Sequence, residues 1–296
     1  MGDPRGIGPE VIRKALADRA VSSRGRFIVI GSKKILKGIA SSVSIVDIPY
    51  KAGGEGALKF LDKGIAFIKS GVADALVTAP LAKEAVSRYH QGFVGHTEYL
   101  AQAFGVKKFD MMFVAPHMRL TIATRHVALK DVPRLIKPQL VLNSIELMAL
   151  TLKEQFKIRD PKIAVLGLNP HAGEKGLLGQ EDSKHILPAI KTAQQRGIKA
   201  YGPLPADTFF AIHCHSQYFC HSRARGNPFD GIIAMYHDQG LAPVKALYFK
   251  DLVNFTAGLP FVRTSPVHGT AFDIAGKNKA DASLMKAAIK LACQLA

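Results

Sequence analysis

A chain of 296 residues, 48% apolar and 21% charged, can bury a sizeable core, which excludes wholesale disorder. No uninterrupted apolar run reaches the roughly 18 residues of a membrane-spanning helix, the polar, glycine-rich residues 1–10 do not read as a signal peptide, and three cysteines make no disulfide framework, so a cytoplasmic protein is expected. Forty basic against 23 acidic residues give a net charge of +17, but Lys and Arg are scattered and Trp is absent; the excess fits a generally basic sequence with a contribution from an anionic ligand, not a nucleic-acid-binding stripe.

Gly6-Ile7-Gly8-Pro9-Glu10 reads as a strand-to-helix turn with Pro9 at the first helical position, although almost nothing precedes it to form the strand. From there short apolar runs alternate with helical patterns, the signature of an α/β protein with a mostly parallel sheet. Helices are expected over 9–16, 56–70, 83–88, 97–104, 138–156, 185–196 and 281–295. Strands are expected over 27–30, 75–78, 111–115, 120–124, 163–168, 231–235 and 252–255. The last helix carries Leu284, Ala288, Leu291 and Leu295 on one stripe, with Asp281 as its cap. Residues 211–228 fit neither period and interrupt the rhythm, so an inserted surface loop is expected there.

Three histidines fall just beyond apolar strands: His126, His171 and His237. In an open α/β sheet that is where side chains from distant sequence converge. Neutral imidazole is a common ligand for divalent transition metals, and three with open positions suit a catalytic ion. The alternative for each is a loop histidine bonded to backbone. Asp238 beside His237, and Glu174 near His171, are placed to orient a ring N–H. A rival group, His213, Cys214, His215, Cys220 and His221, has metal-binding residue types but lacks zinc-finger spacing and lies wholly in the irregular segment.

Longer motifs are more specific. They run from residues 2–10 (GDPRGIGPE), 78–83 (TAPLAK) and 95–98 (GHTE) through 123–126 (ATRH), 167–174 (GLNPHAGE) and 202–208 (GPLPADT). They continue with 235–240 (MYHDQG), Val253-Asn254, 258–264 (GLPFVRT) and 268–271 (HGTA). In this order, across nearly the whole chain, they resemble the 4-hydroxythreonine-4-phosphate dehydrogenases of pyridoxal phosphate biosynthesis. The resemblance implies two α/β/α domains with mostly parallel sheets, similar to isocitrate and isopropylmalate dehydrogenases, with the active site in the interdomain cleft. It places a first domain over 1–93 plus 265–296, its N-terminal strand apparently missing, and a second over 94–264 with an insert at about 211–229. It implies a homodimer with the site near the subunit interface, and neither nucleic acid nor membrane as partner.

The same resemblance assigns His126, His171 and His237 to a divalent metal, with zinc favoured over magnesium, manganese or cobalt because three imidazoles suit a borderline-soft ion. It assigns His96, Thr97, Lys245, Asn254 and Arg263 to the substrate. Asp207 and Asp238 are candidates for proton handling or ligand orientation. The implied reaction is NAD- or NADP-dependent oxidation of 4-phosphooxy-L-threonine to 2-amino-3-oxo-4-(phosphooxy)butanoate, which decarboxylates to 3-amino-2-oxopropyl phosphate. Gly6-Ile7-Gly8 is only a fragment of a dinucleotide fingerprint, so no cofactor contacts are assigned. Alternatives are a sister enzyme acting on threonate or erythronate 4-phosphate, and an inactive remnant of the family.

Overall fold

The computed structural model describes residues 1–219 and 228–296, of which 213–219 as backbone only. In chain order the elements begin with α1 (Gly8–Ala17), α2 (Arg19–Ser22), β1 (Ile28–Gly31), β2 (Ser44–Asp47), α3 (Gly53–Lys69), β3 (Ala75–Val77), α4 (Lys83–Ser87) and α5 (His96–Ala103). Next come β4 (Asp110–Ala115), β5 (Met118–Ile122), α6 (Val132–Leu135), α7 (Pro138–Glu154), β6 (Lys162–Leu166), α8 (Leu187–Gln195), β7 (Lys199–Leu204), α9 (Ala206–Phe219), β8 (Gly231–Ala234) and α10 (His237–Tyr248). The chain closes with β9 (Val253–Ala257), β10 (Val262–Pro266) and α11 (Ser283–Leu295). Helices and strands alternate, and most strand pairs are parallel, as the periodicity requires. Among the described residues no single helix is long and apolar enough to cross a membrane.

The chain divides into two compact units: residues 1–107 with 250–296, and residues 108–249. The expected boundaries, 93/94 and 264/265, differ from these because of what α5, β9 and β10 touch. The hydroxyl of Tyr99 on α5 donates to Asp62 of α3 (2.6 Å), and β10 pairs with β3 in parallel and with β9 in antiparallel. His96, Thr97, Asn254 and Arg263 therefore lie in the first unit.

In that first unit α11 packs on β10 and β3, burying Leu284, Met285, Ala288, Ile289 and Ala292. Of the expected stripe Leu284 and Ala288 are buried, whereas Leu291 and Leu295 are only half-buried, so the packed face is turned towards Met285 and Ile289. Asp281 accepts from the backbone of Ser283 (2.8 Å) from one residue ahead of the N-cap position, which Ala282 and not Asp281 occupies. β1 and β2 form a separate parallel pair. A cavity of about 760 Å³ has residues of both β1 and β3 in its wall, together with Met1, Phe60 and Ile289. The Met1 amine donates to Ile30 O (2.9 Å), and the Asp3 amide donates to Pro80 O (2.9 Å).

The second unit carries strands in the order β4-β5-β8-β6-β7. Only β4 and β5 are antiparallel, as befits two strands joined by a tight turn at His117. Ile163, Ala164, Val165 and Leu166 of β6, and Ile232, Ile233 and Ala234 of β8, are completely buried, which explains their unbroken apolar runs.

Several elements differ from expectation. β2 and β10 were not anticipated, because Ser44–Asp47 is short and Val262–Pro266 buries Arg263, Thr264 and Ser265 where apolar residues are the norm. β7 contains Gly202-Pro203 and is accommodated by a register shift between Ala164 and Leu166. The loop expected from residue 211 gives way to the last turns of α9: no Gly or Pro interrupts 206–219, so nothing stops the helix. Cys220, His221 and the side chains of His213, Cys214 and His215 lie outside the described residues. The residues just beyond β8, from His237 onwards, form the start of α10.

Candidate active site

In the second unit, β5 and β8 run side by side in parallel and deliver two histidines from their carboxyl ends. Thr124 Oγ1 donates to Met235 O (2.8 Å), joining the two strand ends. Arg125 then adopts a left-handed backbone (φ 54°) and its guanidinium donates to Asp110 Oδ1 (2.8 Å) and Phe109 O (2.7 Å). Burial pushes the Asp110 carboxyl up to about 6 against the opposing pull of Arg125. This sharp turn leaves His126 exposed.

His237 is the first residue of α10. Gly240 allows that helix to lie close to the sheet: a Cβ there would come within 2.8 Å of Leu120 Cδ2 and 3.1 Å of Ala234 Cβ. The His126 and His237 ring centroids are 5.2 Å apart, inclined by 42°. His237 Nδ1 lies 2.6 Å from Asp238 Oδ1. A carboxylate only accepts, so Nδ1 is assigned the proton and Nε2 keeps its lone pair.

These two rings fit a divalent ion. A metal–nitrogen distance of about 2.0–2.1 Å sets two imidazoles on one ion with centroids roughly 5 Å apart, and the carboxylate on Nδ1 is a common way of orienting a ligand histidine. The third histidine is presented differently. His171 is exposed and lies in Pro170–Gly176, a turn in which residues 171–175 are all left-handed. Among the described residues no group of three His, Cys, Asp or Glu side chains is gathered around one point. Glu174, in the same turn, is exposed, as are Asp207 in the first turn of α9 and Lys245 on α10. Lys245 follows His237 by eight residues, roughly 12 Å along the helix axis.

The first unit holds a second constellation, built on β10. Arg263 is 2% exposed and makes no ion pair among the described residues. Nη1 donates to Thr256 Oγ1 on β9 (3.0 Å) and Nη2 to Thr78 Oγ1 just after β3 (2.6 Å). Nε is buried without an acceptor. Burial lowers the guanidinium to about 10, only partly offset by Glu98. His96 lies at the N-terminus of α5, and Thr97 beside it is buried. Burial, and then the positive charge of Arg263, the Met1 amine and Lys83, hold the His96 imidazole well below the usual histidine range. Asn254 is half-buried on β9, opposite Ser265.

A desolvated cation bonded only to hydroxyls, a neutral imidazole and the amide end of a helix are each groups suited to holding an anion. Thr78 and Thr256, which bond Arg263, and Lys83, whose charge bears on His96, carry no signal of their own in the sequence, although Thr78 and Lys83 open and close the motif 78–83. Gln239 was also missed. It accepts from Met235 N (2.6 Å) and donates to Gly167 O (2.6 Å), bracing the start of α10 against the end of β6.

The family model described as "Pyridoxal phosphate biosynthetic protein PdxA" matches residues 15–292. The chain is 40% identical to the 4-hydroxythreonine-4-phosphate dehydrogenase of Geobacter metallireducens, over all of this chain and 94% of that protein. Among solved structures it is similar to the 4-hydroxythreonine-4-phosphate dehydrogenase of Klebsiella pneumoniae. There the TM-score is 0.86 and the identity 33%, over all of this chain and 97% of that one. The corresponding protein of Burkholderia phymatum gives a TM-score of 0.82 and 38% identity, over all of this chain and 96% of that one.

Proposed function

Because the chain belongs to the PdxA family of pyridoxal phosphate biosynthetic proteins, which are dehydrogenases, we propose that it oxidises 4-phosphooxy-L-threonine with NAD or NADP. The hydroxyl carbon becomes a ketone, giving 2-amino-3-oxo-4-(phosphooxy)butanoate, a β-keto acid that loses CO2 to leave 3-amino-2-oxopropyl phosphate. The observation that carries this reading is Arg263, a buried guanidinium with no carboxylate partner among the described residues and an Nε without an acceptor. An enzyme pays the desolvation of such a cation when an anionic substrate is to replace water around it.

In this reading Arg263 and the N-terminus of α5 hold the phosphate, with Thr97 and His96 donating to its oxygens and Lys83 adding charge from the rim. Asn254 and the exposed Lys245 take the remaining polar groups of the substrate. His126 and His237 hold a divalent ion, zinc by the softness of the donors, with His171 as third ligand. When bound, the ion acidifies the substrate hydroxyl and the nicotinamide accepts the hydride. Asp238 fixes the His237 tautomer, so that Nε2 offers a lone pair rather than an N–H. Asp207 takes up the hydroxyl proton. The working unit is a homodimer, which light scattering checks.

The test is NADH or NADPH formation from 4-phosphooxy-L-threonine, with and without a chelator, beside threonate and erythronate 4-phosphates. Turnover of the amino acid substrate that stops on chelation is expected. Preference for a non-amino acid would transfer the activity to a sister dehydrogenase, chelator-insensitive turnover would remove the metal, and no turnover at all would make the chain an inactive relative.

A further inference from the structure

Residues 171–175 have φ values of 53°, 54°, 81°, 42° and 57°, one complete turn of left-handed backbone in which only Gly173 is free of a Cβ penalty. Non-glycine residues visit this region singly; four in one turn persist only where the surroundings impose them. A buried carboxylate lies against this turn and bonds the residues that lead into it. Asp182, 2% exposed, opens the π-helical turn Asp182–Ile186 ahead of α8. Its Oδ1 accepts from the Leu168 amide (2.8 Å), and its Oδ2 accepts from the Asn169 amide (3.2 Å) and from Asn169 Nδ2 (2.9 Å).

The same carboxylate fills the space beside the turn. A Cβ on Gly167 would lie 2.8 Å from Asp182 Oδ1, and one on Gly173 would lie 3.2 Å from Oδ2. Among the described residues no cation pairs with Asp182, so its charge is stabilised by backbone and carboxamide N–H groups of the very segment that carries His171. Asn169 also donates to Glu181 Oε2 (2.9 Å), tying the entry of the turn a second time.

We propose that Asp182 is a positioning residue, which locks residues 168–176 into the left-handed turn that presents the His171 imidazole. This rests on the reading of His171 as a metal ligand. Asp182 touches neither ion nor substrate; it acts by fixing the Leu168 and Asn169 amides that lead into the turn and by occupying the space beside Gly173 within it. Glycine within the turn should substitute for part of that work, because glycine reaches the left-handed region without penalty, and a β-branched residue should oppose it.

Zinc alone is the probe, titrated against a chromophoric chelator, with thermal unfolding measured in parallel. Asp182→Asn should weaken zinc binding by about 10- to 100-fold, the range for groups that orient a ligand. Adding Lys175→Gly to that variant should recover much of the affinity, while Lys175→Gly alone leaves it near wild type. Lys175 is exposed and makes no ion pair among the described residues, so it moves the backbone preference and little else. Wild-type affinity in Asp182→Asn, with affinity lost in His171→Ala, would overturn the proposal while leaving the ligand reading intact. Unchanged affinity in His171→Ala would remove that reading and this inference with it. Should Asp182→Asn fail to fold, Lys175→Val decides: weaker binding than in Lys175→Gly supports the clamp, and equal binding overturns it.

Discussion

Arg263 is held by two threonine hydroxyls and no carboxylate, and its guanidinium is lowered to about 10 by burial. An unpaired buried cation costs stability, so the proposed phosphate contact would set function against stability at this position. Arg263→Met should therefore raise the KM for the phosphorylated substrate by about 10- to 100-fold, the worth of a charged hydrogen bond. It should also leave the melting temperature unchanged or raised by a few degrees. A fall in melting temperature with unaltered KM would make Arg263 a structural residue. His96 gives a pH signature. Its imidazole is depressed in the folded state, so the unfolded chain binds the proton more readily below the ordinary value of 6.5. The stability contributed by neutral His96 is present above about pH 6.5 and is lost as the pH falls below it. Urea unfolding between pH 5 and 8 should show a steeper acid-side loss in the wild type than in His96→Asn, and parallel curves would contradict the assignment. Arg263 and His96 were legible in the sequence only through the motifs that carry them, for a lone Arg or His reads equally well as a surface ion pair or a loop contact. Thr78 and Thr256 were not legible as functional, because threonine in a strand is what β-propensity alone supplies.

Gln239 braces one element against another through two bonds of 2.6 Å, to the amide of Met235 and the carbonyl of Gly167. These are the ends of β8 and β6, the strands that lead to His237 and to the turn of His171. Gln239→Leu would leave a donor and an acceptor with no partner, a cost of about 2–4 kcal/mol by the usual penalty for each. It should lower zinc affinity as well, whereas Gln239→Glu, which keeps the acceptor for Met235 and loses only the donor, should fall between. Urea midpoints and zinc titrations on the same two variants check both effects; intact zinc affinity with lost stability would confine the brace to folding. Elements with one apolar period were readable in advance: α3, α7 and α11 lie close to where the spacing put them, as do β4, β6 and β8. Elements that carry the candidate site residues were not. β10 buries Arg263, Thr264 and Ser265, which breaks the apolar signature of an interior strand. α10 opens on His237, Asp238, Gln239 and Gly240, a polar, glycine-bearing run that imitates a turn. The left-handed turn after β6 has no periodic signal at all, since it is held by Asp182, a residue eleven positions beyond His171 in the sequence.

At the scale of the whole molecule the excess of 17 positive charges has no stripe to gather it, and it gains a use if the first unit binds the phosphate as proposed. A scattered field of one sign still raises the local concentration of a multiply charged anion and speeds its encounter. Mobile salt screens that long-range part, with a Debye length of about 10 Å at 0.1 M, while the buried contacts to Arg263 are screened much less. Raising the ionic strength from about 20 to 200 mM should therefore lower kcat/KM for the phosphorylated substrate by roughly tenfold and leave kcat unchanged, at the lower end of the range for steered association. The exposed pair Lys33 and Lys34 lies outside the proposed site, so Lys33→Glu with Lys34→Glu lowers the net charge by four without touching a proposed contact. That variant should show a shallower salt dependence at the same kcat. A slope identical to the wild type would assign the salt effect to the proposed phosphate contacts alone and leave the net charge without a role in substrate capture.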